Sequence, residues 1–413
     1  MMKTNMRKLG TLVMILMASI GVCQAESFDI VLSFRPDASN QSRTFKIETE
    51  STGARGCTQP GSTFCGDKER SFVTLISGEK TIDVNSDDIK QKTGGRFNGA
   101  WKRIQLRDNN TGEILDARTR LSLINWEQIV FTNQNMGTGN FLEAHPSWAY
   151  VGPCKRYRAT GSTRYVDLTL SVVENTSSLC YQGKVNNQKL LPVKSTSRYI
   201  TFGFVTEVLN SPWEVKNGNY TGSFSFTVGD GADIDLFNDS YTDNEIQINL
   251  TAHVTHLFTV RFPGTQNNIT LSPKGGWNQW KNSGRVPSQL SNEVPFSLST
   301  STKFSVSLLC SVPTGSECGL SNVANEQQVV PLNVALTMPS VSLKEFPGVG
   351  VNNVLLKASK PIDFEPVLSN GIIYDSRSKV SFSVGQDHVR TMLDSPNSRW
   401  KGTVSLIFDA ELE

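Results

Sequence analysis

The feature that most constrains this chain is a strict two-residue alternation of apolar side chains. From Ile246 to Phe262 the even positions read Ile246, Ile248, Leu250, Ala252, Val254, Phe258, Val260 and Phe262, and only His256 interrupts them. Successive side chains of an extended strand point to opposite faces, so such a run buries one face and wets the other. The same period returns in Val166, Leu168, Leu170 and Val172, in Phe304, Val306, Leu308 and Cys310, and in Val330, Leu332, Val334, Leu336 and Met338. Gly, Pro, Asn and Asp clusters separate the runs, and helical spacing is nearly absent. The pattern predicts an all-β protein of short antiparallel strands in sandwiches, with less than about a tenth of it in helix.

One strand is written twice. "NYTGSFSFTV" places Tyr220, Gly222, Phe224, Phe226 and Val228 as "RWKGTVSLIF" places Trp400, Gly402, Val404, Leu406 and Phe408, with an offset of 402 − 222 = 180 residues. Between the copies lies "GADIDLFNDSYTDNE", residues 231–245, acidic and without period. It reads as a solvated linker. The expected organisation is therefore a first sandwich over 26–230, the linker, and a second sandwich over 246–413, each closing on its copy of the repeated strand. The second copy, close to the end of the sequence, must find a strand neighbour or leave an open hydrogen-bonding edge.

The first 25 residues carry a basic start, the apolar run "LGTLVMILMASIGV" and the small-residue site "CQA", the pattern of a cleaved export signal. Loss of Cys23 leaves six of the seven cysteines. In an oxidising compartment an even number reads as disulfides, and the spacing suggests neighbours: Cys57–Cys65, Cys154–Cys180 and Cys310–Cys318. With no CxxC, zinc ligation is not expected. Net charge is +2, too near zero to indicate nucleic acid.

An export signal, two successive β-sandwiches and the strand "WKGTVSLIFDA" together resemble a chaperone–usher pilus (fimbrial) subunit, of the two-domain tip adhesin type. The resemblance implies two consecutive Ig-like, pilin-like domains, the C-terminal one lacking its last strand. It further implies that a periplasmic pilus chaperone lends a strand to the vacant groove, that an outer-membrane usher handles the subunit, and that a neighbouring pilus subunit later donates its own strand. That is strand addition, in which backbone hydrogen bonds give affinity and alternate side chains give specificity. The groove strand would present Trp400, Gly402, Val404, Leu406 and Phe408. The mature start, "ESFDIVLSFRP", enters alternation at once through Phe28, Ile30, Leu32 and Phe34. It is either the first strand of the first domain or a donor strand. The implied location is the pilus tip at the cell surface, reached through the periplasm.

Catalysis finds little support, and no cofactor or metal is expected. G-x-S-x-G, G-x-x-x-x-G-K and H-E-x-x-H do not occur. His253 and His256 would point to opposite faces of a strand. Asp233 and Asp235 resemble a calcium loop, but Phe237 stands where a ligand is needed. Binding is better motivated. "HPSWAYVGPCKRYRATGSTRY" gathers Trp148, Tyr150 and Tyr165 with Arg156, Arg158 and Arg164, aromatic faces for sugar rings and forked donors for hydroxyls or a carboxylate. The loop Cys57–Cys65 could display Phe64, whereas Trp101 and Trp126 read as core. The expectation is a non-enzymatic adhesin for a host-surface glycan or protein. The alternatives are a minor structural subunit without a receptor and a secreted carbohydrate-active enzyme.

Overall fold

The structure is a computed structural model that describes residues 26–36, 44–52, 66–264, 268–367 and 372–410. The signal segment and the pair Cys57–Cys65 lie outside them. Alternation decides the architecture: strand is the dominant regular structure of the described residues, and their two α-helices, Asn278–Ser283 and Gln386–Leu393, are short. In the first domain we label β1 (Glu26–Phe34), β2 (Gly78–Ile82), β3 (Lys102–Asp108), β4 (Ile114–Val130), β5 (Arg156–Gly161), β6 (Tyr165–Ser171), β7 (Val193–Val208), β8 (Gly218–Thr227) and β9 (Glu245–Val254). They pair in the order β2–β7–β4–β3–β8–β9–β1, with β6 beside β4 and β5 beside β6. A smaller four-stranded sheet, which includes Gly94–Asn98 and Ser177–Gln182, accompanies it, and Phe97 meets Trp126 at 6.0 Å between ring centroids.

The second domain comprises β10 (Phe258–Arg261), β11 (Gln289–Thr300), β12 (Phe304–Cys310), β13 (Asn325–Leu343), β14 (Ile362–Pro366), β15 (Ile373–Gly385) and β16 (Val404–Ala410). Its strand path runs β10–β11–β15–β13–β14–β12–β16. Two separate groups of buried apolar side chains, one per domain, make this a protein of two β-sandwiches. Disulfides Cys154–Cys180 and Cys310–Cys318 are formed.

The boundary between the domains falls later than the sequence suggests. Strand β9 does not open the second domain; it pairs antiparallel with β8, Gly222 opposite Leu250, and parallel with β1, Ile30 opposite Leu250. Ile246, Ile248, Leu250, Ala252 and Val254 are all buried in the first core. The stretch 231–245 is not a solvated linker either. Ile234 and Leu236 are fully buried, and Asp233 is locked by Lys102 and by the backbone and hydroxyl of Thr227. Its acidic composition hides apolar residues that close the first core. The connection between the domains is only residues 255–257. There His256 is buried, its Nε2 donating to the Val215 carbonyl at 2.6 Å and its Nδ1 lying 3.1 Å from the Ser301 hydroxyl. It is thus a junction residue rather than one of a strand pair with His253.

The two glycines of the repeated motif have one cause. A Cβ on Gly222 would lie 2.9 Å from the Gln105 carbonyl oxygen, and one on Gly402 would collide with that of Gly319. In each copy a neighbouring backbone passes where only glycine leaves room. The aromatic partners differ in depth: Tyr220 is fully buried, with its hydroxyl donating to Lys216, whereas Trp400 is half-buried.

Because β9 is the strand that joins β8 to β1 among the described residues, a fragment of residues 26–256 should unfold cooperatively in urea. A fragment of residues 26–230 should show no cooperative transition, and a sharp one would place the boundary back at residue 230.

Candidate functional site

What sets the second domain apart is how its strand path ends. Strand β16 hydrogen-bonds on one side only, to β12, with Val404 opposite Cys310 and Ala410 opposite Phe304. Among the described residues no strand covers its other edge. The opposite end of the path, β10, is likewise paired on one side, to β11. Phe258 of β10 and Phe408 of β16 both pack against Phe304, so the two free edges flank one slot, which no strand fills among the described residues.

Side-chain burial follows from that gap. In β16 the alternation is intact, but its inward residues Val404, Leu406, Phe408 and Ala410 are only half-buried, as are Phe258 and Val260 of β10. The interior strands bury the corresponding positions, for example Val306 and Leu308 of β12 and Val380 and Val384 of β15. The slot has an aromatic floor. Phe408 lies 5.8 Å from Phe296 and 6.4 Å from Phe304, which lies 5.3 Å from Phe258. At the start of β16, beside Val404, lies a cavity of about 1060 Å³, lined also by Leu271, Trp277, Phe382, Val389 and Trp400. Chemically the site offers unpaired backbone donors and acceptors along one edge, and apolar sockets at every second residue, about 7 Å apart. Of the expected groove residues, Val404, Leu406 and Phe408 face the slot. Trp400 lines the cavity and pairs in a short separate strand with Asn322, and Gly402 admits the Gly319 backbone.

The aromatic and basic segment of the first domain is less unified. Trp148 is 72% exposed, on a short 3-10 turn. Arg156 turns inward, one guanidinium nitrogen donating to the His145 carbonyl at 2.7 Å, and Arg164 donates to the carbonyls of Phe131 and Gln134. These two guanidinia brace loops. Tyr150 is half-buried, and burial pushes its phenol well above the usual value. Tyr165 begins β6, paired with Ile129, and Arg158 sits on β5, opposite Thr169. Of the residues expected there, Trp148 is the exposed one, and Arg158, like Tyr150, Arg156, Arg164 and Tyr165, is half-buried. Trp126 is core as expected, whereas Trp101 lies at the surface under Arg118, whose guanidinium is 4.1 Å from its ring. Among the described residues no group of three or more His, Cys, Asp or Glu converges on a metal position.

No family model and no curated protein matches this chain. Among solved structures it is similar to the chaperone–tip adhesin complex of CFA/I fimbriae, with a TM-score of 0.27 and 10% identity over 94% of this chain and 97% of the other. It is similar to CfaE, the adhesive subunit of the CFA/I fimbria of enterotoxigenic Escherichia coli, with a TM-score of 0.25 and 10% identity over 93% and 92%. A third is the CsuC–CsuE chaperone–tip adhesion subunit pre-assembly complex of the archaic chaperone–usher Csu pili of Acinetobacter baumannii, with a TM-score of 0.22 and 10% identity over 93% and 98%.

His145 braces the Trp148 turn from inside. Its Nδ1–H donates to the Phe141 carbonyl at 2.7 Å, and its Nε2 accepts from the Thr93 hydroxyl at 2.9 Å. Burial pushes its pKa down to about 4 from an ordinary 6.5. The unfolded chain therefore binds the extra proton between these values, so stability is full above pH 6.5 and lost as pH falls toward 4. Urea unfolding should show a decline on the order of 3 kcal/mol over that interval. Buried His256, whose pKa burial also lowers, adds in the same direction. The variant His145→Gln should flatten the slope; an unchanged slope would exclude His145 as its source.

Proposed function

We propose that this protein is a subunit of a chaperone–usher pilus, the tip adhesin, whose second domain is completed by a strand from a periplasmic chaperone and later from a neighbouring subunit. The observation that carries this reading is the slot between β10 and β16, with one free strand edge on each side and a half-exposed aromatic floor. An isolated sandwich with that slot leaves a row of amides and carbonyls unpaired beside apolar surface, which invites strand addition. The tip position is supported by β1. Its residues Ile30, Leu32 and Phe34 are buried in the first core and its backbone pairs along its whole length with β9. A strand so engaged is not available for donation to another subunit, which favours the first-strand reading over the donor reading. The first domain is then the part that meets a host-surface glycan or protein.

A synthetic peptide with apolar residues at every second position tests the slot. Added in excess to the full chain, it should raise Tm by several degrees, since a ligand that binds only the folded state stabilises it by mass action. Leu406→Glu, which puts a charge on the slot wall, should abolish that rise and prevent co-purification with a periplasmic chaperone. Equal stabilisation of the variant, or none of the parent chain, would contradict the reading.

A further inference from the structure

The first domain carries a second constellation, on β7, that owes nothing to the Trp148 segment. Up to Ser197 the odd positions of β7 face inward, as Val193, Ser195 and Ser197 are buried. From Ile200 onward the even ones do, as Ile200, Phe202 and Phe204 are fully buried. The switch occurs at a β-bulge. Arg198 pairs with Glu127 and Thr201 with Asn125, so Tyr199 and Ile200 together stand opposite the single residue Trp126. A bulge re-aims a side chain, and this one sends two consecutive residues, Arg198 and Tyr199, to the outer face.

Tyr199 has φ of 51°, in the left-handed region that glycine occupies without steric cost and tyrosine does not. It is nevertheless 52% exposed, so burial in the core does not explain the ring. The Arg198 guanidinium lies 4.9 Å from the centroid of that ring, and its Nε donates to Glu127 Oε1 at 2.7 Å. Leu75, next to Thr74, whose amide donates to the Ile200 carbonyl, is 79% exposed. A strained, solvent-facing aromatic held against an ion pair on a rigid sheet is an outlier of the kind that marks ligand sites.

We propose that Tyr199, Arg198 and Glu127 form a binding site for an uncharged saccharide. The open face of the Tyr199 ring packs against the C–H face of a sugar, as aromatic rings do in sites for amphipathic ligands. The adjacent guanidinium donates to ring hydroxyls and the Glu127 carboxylate accepts from them. Arg198 and Glu127 neutralise each other, so the pair recognises hydroxyls and gives no net attraction for a carboxylated sugar. This inference rests on the proposed adhesive role of the first domain and names its ligand class.

Glycine is the variant that separates binding from folding. Tyr199→Gly removes the strain together with the ring, so Tm should stay level or rise while retention of uncharged oligosaccharides on an array falls by about tenfold or more. Tyr199→Phe, which keeps the ring, should retain binding. The proposal is overturned if Tyr199→Gly binds as the parent chain does, if its Tm drops sharply, or if the parent chain retains only sialylated sugars or none. The slot peptide, applied to the same preparation, keeps the two readings apart. Stabilisation by peptide without sugar retention defeats this site alone, and sugar retention without stabilisation defeats the pilus reading alone.

Discussion

The structure turns on the unpaired edge of Val404–Ala410. A strand in a sandwich satisfies its backbone groups on both sides, and a free edge beside apolar residues is a liability that folded proteins cover. This chain shows both solutions with nearly the same strand. In the first domain "YTGSFSFTV" lies between the chain's own strands Lys102–Asp108 and Glu245–Val254, and Tyr220 and Phe226 are fully buried. In the second, the Val404–Ala410 part of "WKGTVSLIFDA" has Phe304–Cys310 on one side only, and Leu406 and Phe408 remain half-buried. Among the described residues, the difference between the copies is one neighbouring strand, present in the first and absent from the second.

On the proposed reading, that contrast divides the labour of the molecule. The first domain is closed: its opening strand is bound in its own sheet, its acidic segment 231–245 is folded into the core, and its surface is free to present side chains on rigid strands. The second leaves the outer edge of Val404–Ala410 unpaired among the described residues, and on the proposed reading its apolar slot takes an extended segment of another chain. The 255–257 connection is short, and its buried His256 touches both domains through Val215 and Ser301.

Much of this was legible in the sequence. Period-2 alternation identified the strands and their inward faces, but not why the repeated motif carries a glycine, since the backbones of Gln105 and Gly319 that crowd Gly222 and Gly402 are far away in sequence. Alternation does not say which sheet a strand joins, so the pattern of Ile246–Val254 suits either core and only its pairing with Gly218–Thr227 and Glu26–Phe34 places it in the first. Composition misled at 231–245, where Asp, Asn and Ser concealed Ile234, Leu236 and Phe237, buried because Asp233 and Asp235 are tied to neighbouring groups. In the Trp148 segment the residue types were visible, but not that Arg156 and Arg164 turn in to donate to backbone carbonyls. The bulge left a readable trace in the switch from Val193, Ser195 and Ser197 to Ile200, Phe202 and Phe204, a change of parity that a count of aromatic and basic residues overlooks.

The central claim is that the outer edge of Val404–Ala410 lacks a partner until another polypeptide supplies one. Amide hydrogen exchange along these residues, measured on the chain alone and then with a strand-donating chaperone, tests it directly. The account predicts alternate amides that exchange freely in the chain alone and become strongly protected in the complex. Full protection of every amide from Val404 to Ala410 before any partner is added would contradict it.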